Sequence, residues 1–195
     1  MSESLPLPDK RQLLRLARQA LEAAAWGQHF PLVSVADLPP MLREAKACFI
    51  TLMRRGELRG CMGGLQAERA LYDEVRHRTA QSALQDYRFP PVSPEEVPEI
   101  EIEISVLTEL QPLPYDSPDC LLTLLRPGID GVILAHGVRR ATFLPQVWER
   151  VPDPNKFLSM LCEKMGLPPD TWRRAKLDVQ VYQIEKVTES ELGDS

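Results

Sequence analysis

The stretch Ala47 to Met53 is an apolar run of strand length, and it most constrains the fold because the connection after it is so short. Arg54-Arg55-Gly56-Glu57 supplies a tight turn, and Leu58 to Met62 returns as the next strand. A run of this kind is most simply a central strand, and a four-residue return makes its neighbour antiparallel. The same pattern recurs. Ile100, Ile102, Ile104 and Val106 alternate with Glu101, Glu103 and Ser105, the signature of a half-buried strand. Val132 to His136 and Arg139 to Phe143 form a hairpin about His136-Gly137, and Leu177, Val179 and Val181 form a last alternating strand.

Helical periodicity appears between these strands without alternating regularly with them. Leu13, Leu16, Ala17, Ala20, Leu21 and Ala24 make one stripe over Lys10 to Ala25, with Asp9 as the expected cap after Pro8. A second helix is expected from about Ala67 to Leu84, burying Leu71, Val75, Thr79 and Ala83. A third covers Asn155 to Met165, with Gly166 just past its end and Pro168 beyond. Asp86 to Pro98 holds four prolines and reads as a loop with at most one helical turn at 93–96. Strands paired through tight turns, with helices inserted irregularly, predict an α+β fold: a mostly antiparallel sheet flanked by helices. A chain of 195 residues fits one domain, here 10–187, with flexible termini at 1–9 and 188–195.

Chemistry concentrates in Leu58-Arg59-Gly60-Cys61-Met62-Gly63-Gly64-Leu65. Three glycines let the backbone turn or approach another group closely, and successive amides in such a turn can cradle an anion. Arg59 adds a planar fork for carboxylate or phosphate, and Cys61 a potential nucleophile. At i and i+2 on a strand, both side chains are expected on one face. Arg59 and the N-terminus of the following helix would then activate the thiol. Three readings of Cys61 stay open: a nucleophile, a non-covalent contact and a packing residue. Asp86 and Arg88 flank a turn and are candidate site residues. Glu99, Glu101 and Glu103 share a strand face, with neighbouring carboxylates about 7 Å apart, so Glu103 joins them as a candidate. His77 lies four residues after Asp73, which suits a solvated pair better than a catalytic base.

Composition excludes several classes. A net charge of −5 gives no footprint for nucleic acid, although Arg54, Arg55, Arg59, Arg139 and Arg140 would make a local patch if they converged. The cysteines at 48, 61, 120 and 162 fit neither a zinc pattern nor a disulfide scaffold, so no metal is expected. Phosphate-loop and dinucleotide fingerprints are absent, and no cofactor is expected. Without a basic and apolar leader or a membrane-length apolar run, the expected compartment is the cytoplasm.

Arg59-Gly60-Cys61-x-Gly63 after a strand resembles the signature of the AMMECR family, named for a human deletion-syndrome region and called AmmeMemoRadiSam system protein A in bacteria. Five later blocks stand in the family's order. They are Asp86 to Val92, Glu101 to Leu107, Gly128 to Leu134, Arg140 to Val147, and Phe157-Leu158-x-x-Leu161-Cys162. Two positions depart from it: Met62 stands where Ile is usual, and Gly64 where Thr or Ser is common. The resemblance implies a larger α+β body and a smaller inserted lobe, placed around Pro112 to Val151, with the site facing a groove. It also implies a system with a Memo-like protein and a radical SAM protein as partners. The leading expectation is a protein that binds or modifies a small anionic or carbonyl-bearing ligand at Arg59, Gly60, Cys61 and Gly63. A non-catalytic adaptor and an RNA-binding or RNA-modifying module are the alternatives.

Overall fold

The structure, a computed structural model, describes residues 4–192. The chain forms two compact units, one running up to Leu107 and resuming at Glu185, the other spanning Thr108–Ile184. Of the expected flexible termini, residues 1–3 and 193–195 lie outside the described residues.

In the first unit β1 (Cys48–Arg54), β2 (Glu57–Gly63), β3 (Ile100–Leu107) and β8 (Ile184–Thr188) form a four-stranded sheet in the order β2-β1-β3-β8. β1 pairs antiparallel with β2 on one side, as their short turn demands, and antiparallel with β3 on the other. The β1–β2 turn places Arg55 at φ 53° and Gly56 at φ 81°, two consecutive left-handed residues of the kind that close a two-residue hairpin. Two long helices, α1 (Leu7–Ala25) and α3 (Leu71–Leu84), cover one face of the sheet, with the short α2 (Pro40–Arg43) beside them. Leu13, Ala17 and Leu21 of α1 meet Ile50, Leu52, Ile102 and Ile104 of the sheet, all fully buried. Burying each such large aliphatic side chain stabilises the unit by about 1.5–3 kcal/mol.

The second unit has its own sheet, built from β4 (Gln111–Pro112), β5 (Gly131–His136), β6 (Arg139–Phe143) and β7 (Asp178–Tyr182) in the order β4-β7-β5-β6. Its helices are α4 (Pro118–Leu124), α5 (Val147–Arg150), α6 (Pro154–Lys164) and α7 (Thr171–Arg174). Val132, Leu134, Val179 and Val181 pack with Phe157, Leu158 and Leu161 of α6, and Trp148 stacks on Phe157 with ring centroids 3.6 Å apart. Gly166, at φ 75°, ends α6 as expected.

The α+β architecture is as the sequence predicts, with differences in detail. α1 begins at Leu7 with Pro6 as its cap residue, so Asp9 sits buried in the first turn and caps nothing. α3 begins at Leu71 because Ala70 is held by a bridge to Ala45, and the stretch from Ala67 is irregular. The second unit reaches Ile184, beyond the 112–151 expected for the lobe, because β7 hydrogen-bonds β5 and α6 fills the core between them. Residues 4–9 and 188–192 are structured. Leu5 is buried, and α8 (Glu189–Leu192) comes directly after β8. Glu185 accepts from the Leu5 amide at 3.0 Å and Ser4 Oγ at 2.5 Å, and pairs with Lys10 at 2.8 Å.

Candidate functional site

β2 is an edge strand, and its register with β1 slips within the signature. Leu52 faces Gly60, but Met53 faces Leu58, leaving Arg59 as the extra residue of a β-bulge. The bulge breaks the alternation that would have put Arg59 and Cys61 on one face. Arg59 is only 9% exposed and spends its fork on Glu96, with Nε to Oε1 at 2.8 Å and Nη2 to Oε2 at 2.9 Å. Nη2 also donates to Pro91 O at 3.3 Å, while Nη1 is buried with no partner among the described residues. The Arg59 hydrogen bonds, aided by the Ser93 amide and opposed by burial, pull the Glu96 carboxyl from 4.5 down to about 2. The cation expected to hold a ligand is thus clasping the loop that follows α3.

Cys61 faces the other way. Its register partners are Thr51 on β1 and, one strand further, Glu103 on β3, so thiol, hydroxyl and carboxylate form a row across the sheet. Thr51 Oγ1 donates to Cys61 Sγ at 3.5 Å, and Glu103 pairs with Lys186 of β8 at 2.6 Å. Cys61 is half-buried. Its backbone N–H and C=O are both held by one ion pair. The Cys61 amide donates to Asp86 Oδ2 at 2.8 Å, and Arg88 Nη2 donates to Cys61 O at 3.4 Å. Arg88 also engages both Asp86 oxygens, at 2.9 and 2.6 Å. These hydrogen bonds, Arg88 first, outweigh burial and hold the Asp86 carboxyl well below the usual carboxylate range. Asp86 is buried, but the Arg88 side chain is 44% exposed. Together they satisfy the open edge of β2 with a charge-assisted clamp where a further strand would otherwise pair.

The glycines are needed for space and not for a left-handed backbone. None of Gly60, Gly63 and Gly64 has positive φ. A Cβ on Gly60 would sit 2.3 Å from Ser82 O of α3, and one on Gly63 would sit 2.3 Å from the Phe49 ring and 2.6 Å from Cys48 O. Gly64 is covered by Arg78, which is fixed by Glu74 at 2.6 Å and Gln81 at 2.9 Å. Ser82 completes the seam: its hydroxyl accepts the Met62 amide at 2.9 Å and donates to Ile50 O at 3.0 Å. Ser82, Arg78 and Glu96 are not among the residues the sequence singles out. A serine in an otherwise apolar position of α3 is the one signal that points to any of them.

Other candidates resolve more simply. Glu99 ends a 3₁₀ segment (Pro94–Glu99) and pairs with Arg54 and Arg55 at 2.6 Å each, so it does not share a strand face with Glu103. Arg54, Arg55 and Arg59 converge on carboxylates and form no basic patch. His77 contacts Asp73 at 3.3 Å as a partly exposed i,i+4 pair. Burial pushes the Cys48 and Cys162 thiols up, which marks them as core residues. α3 begins beyond the glycine segment, so the helix expected at Ala67 does not present an N-terminus there. Among the described residues no cluster of His, Cys, Asp and Glu could hold a metal, and no helix is long and apolar enough to cross a membrane.

The AMMECR1 family model matches residues 14–187. A protein of Methanothermobacter thermautotrophicus is 39% identical over 176 residues, covering 90% of this chain and 91% of the relative. A Thermofilum pendens protein is 36% identical over 193 residues, covering 91% of this chain and 88% of the relative. The crystal structure of an uncharacterised protein from Pyrococcus horikoshii superposes with a TM-score of 0.82 at 33% identity, covering 92% of this chain and 90% of that one.

Proposed function

The chain belongs to the AMMECR1 family, and from that premise we propose that it binds, and presents for modification, a small carbonyl- or carboxylate-bearing molecule on the sheet face carrying Cys61. The observation that supports this most is the clamp. A buried carboxylate and a half-exposed guanidinium are committed to the backbone of one residue, the N–H and the C=O that flank the half-buried thiol. Fixing a side chain through its backbone is how a reactive group keeps a productive geometry. Thr51 and Glu103 supply a donor and an acceptor on the same face, and Arg88 takes over from Arg59 as the cation a ligand meets. In this reading the protein acts beside a Memo-like protein and a radical SAM protein, which do the redox chemistry while this chain holds their substrate. Four free thiols suit a reducing cytoplasm.

The test is a metabolite screen by thermal shift against the parent protein, Cys61→Ser and Arg88→Gln. A carbonyl compound that stabilises the parent, protects Cys61 from alkylation and loses its effect in both variants supports the proposal. Hits indifferent to both substitutions overturn it. Co-purification with a Memo-like protein that survives Cys61→Ser, without any such hit, favours an adaptor. Tyr87, 95% exposed between the two clamp residues, is then the contact to mutate.

A further inference from the structure

The second unit carries a cleft of about 870 Å³ that the Cys61 face does not use. Its floor is the face of the sheet where β6, β5 and β7 run side by side. Ala135 pairs directly with Arg140 on one side and Asp178 on the other, so a cation and a carboxylate flank one methyl group on one face. Both charged side chains are exposed, and among the described residues they form no ion pair with each other. Arg140 instead leans across β5, and its Nη2 donates to Gln180 Oε1 at 2.9 Å. Gln180 stands two residues from Asp178 on β7, a spacing of roughly 7 Å. The guanidinium is thereby held beside Gln180, roughly 7 Å along the strand from the Asp178 position.

The wall above this floor is built firmly. The Tyr115 hydroxyl donates to Leu177 O at 3.2 Å and accepts the Leu177 amide at 2.9 Å. Lys176 lies 3.7 Å over the Tyr115 ring and donates to the Tyr115 carbonyl. The rim is apolar, from Pro112, Leu113 and Pro114 on one side and Val138 at the hairpin tip on the other. Cleft volumes of about 300–1,000 Å³ are those of small-molecule sites, which place a few polar groups within an apolar lining.

We propose that this cleft binds an amino-acid-type zwitterion with an apolar side chain, its carboxylate on Arg140, its ammonium on Asp178 and its side chain against the proline rim. Arg140 and Asp178 on either side of one small residue match a ligand whose ammonium and carboxylate are borne on a single carbon, and Lys176 and Asp116, which also line the cleft, leave its charges balanced. A simple anion would meet Asp178 and a simple cation would meet Arg140, so each is disfavoured.

The experiment titrates leucine, leucyl-leucine, N-acetyl-leucine and leucinamide into the full chain, followed by backbone amide shifts of β5, β6 and β7. Leucine or leucyl-leucine should saturate, and blocking either charged end should weaken binding by about tenfold or more, the effect of one charge-assisted hydrogen bond. Leucine should bind more tightly than leucyl-leucine, whose charged ends lie on different residues, and tighter binding of the dipeptide overturns the assignment. Asp178→Asn should abolish the preference for a free amine and keep that for a free carboxylate, and Arg140→Gln the reverse. Both residues are exposed, so both variants should fold. Equal binding of free and blocked probes overturns the proposal, as does the absence of saturable shifts up to millimolar probe.

Discussion

Replacing Gly60 by alanine adds one methyl group where the structure has no room for it. The new Cβ would lie 2.3 Å from the Ser82 carbonyl oxygen and 3.2 Å from its carbon. Both are backbone atoms of α3, so no rotamer change relieves the contact, and helix and strand must separate by about 1 Å to restore ordinary packing. Overpacking of this kind costs about 1–3 kcal/mol. The separation also stretches the two Ser82 hydrogen bonds to Met62 and Ile50, each worth about 1 kcal/mol. The expected loss is therefore about 3–5 kcal/mol, or a fall in Tm of about 6–20 °C. Gly64→Ala is the control. Its Cβ meets the Arg78 guanidinium, at 2.7 Å from Nη2, which is the far end of a side chain and can shift by loosening its hold on Glu74 and Gln81, so its cost should stay well below that of Gly60→Ala. Urea unfolding of both variants, followed by far-ultraviolet circular dichroism, measures the difference. A Gly60→Ala variant within about 1 kcal/mol of the parent would refute the reasoning. So would a Gly64→Ala variant that costs as much.

Arg59→Ala leaves Glu96 only Arg54 and the Ser93 amide and should cost about 1.5–3 kcal/mol in urea unfolding, while leaving the rate of Cys61 alkylation unchanged. Iodoacetamide should label Cys61 well before the buried Cys48 and Cys162. Arg88→Gln, which removes the adjacent charge, should slow that labelling severalfold, as peptide mass spectrometry of timed aliquots would show. Stability should also fall in acid. The Glu96 carboxyl is depressed from 4.5 to about 2, so its contribution is complete above pH 4.5 and is lost as the pH drops toward about 2. Asp86, depressed in the same direction, extends the loss further down. Glu96→Gln should flatten the upper part of that profile, and an unchanged acid midpoint would count against the Arg59–Glu96 clasp.

Features with a short-range cause were legible in the sequence. The β3 alternation survives over its first half, where Glu101 is exposed and Glu103 half-buried between buried isoleucines, although beyond them both faces are buried, Ser105 included. The hairpin at His136-Gly137 survives because Gly137 adopts φ 60°. The start of α3 was not, since a long-range bridge between Ala45 and Ala70 sets it. The site divides in the same way. Cys61, Asp86, Arg88 and the glycines were recognisable, and the structure joins Cys61 to Asp86 and Arg88 across 25 and 27 residues of chain. The bulge at Arg59 depends on how Leu52 and Met53 of another strand are spaced, and nothing local to Arg59 announces it. Its partner Glu96 lies 37 residues away, in a segment read as a loop with at most one helical turn and no link to β2.

The division of the chain into units bears on the order in which they are made. The second unit is one uninterrupted segment, while the first needs residues on both sides of it. During synthesis the inserted segment has therefore left the ribosome in full before β8 becomes available to close the first sheet. Until then the outer edge of β3 is unpaired, and Glu185 and Glu189 have yet to reach Lys10, Arg18 and the Ile102 amide. A chain ending after Tyr182 would hold one finished core and one sheet still lacking its last strand.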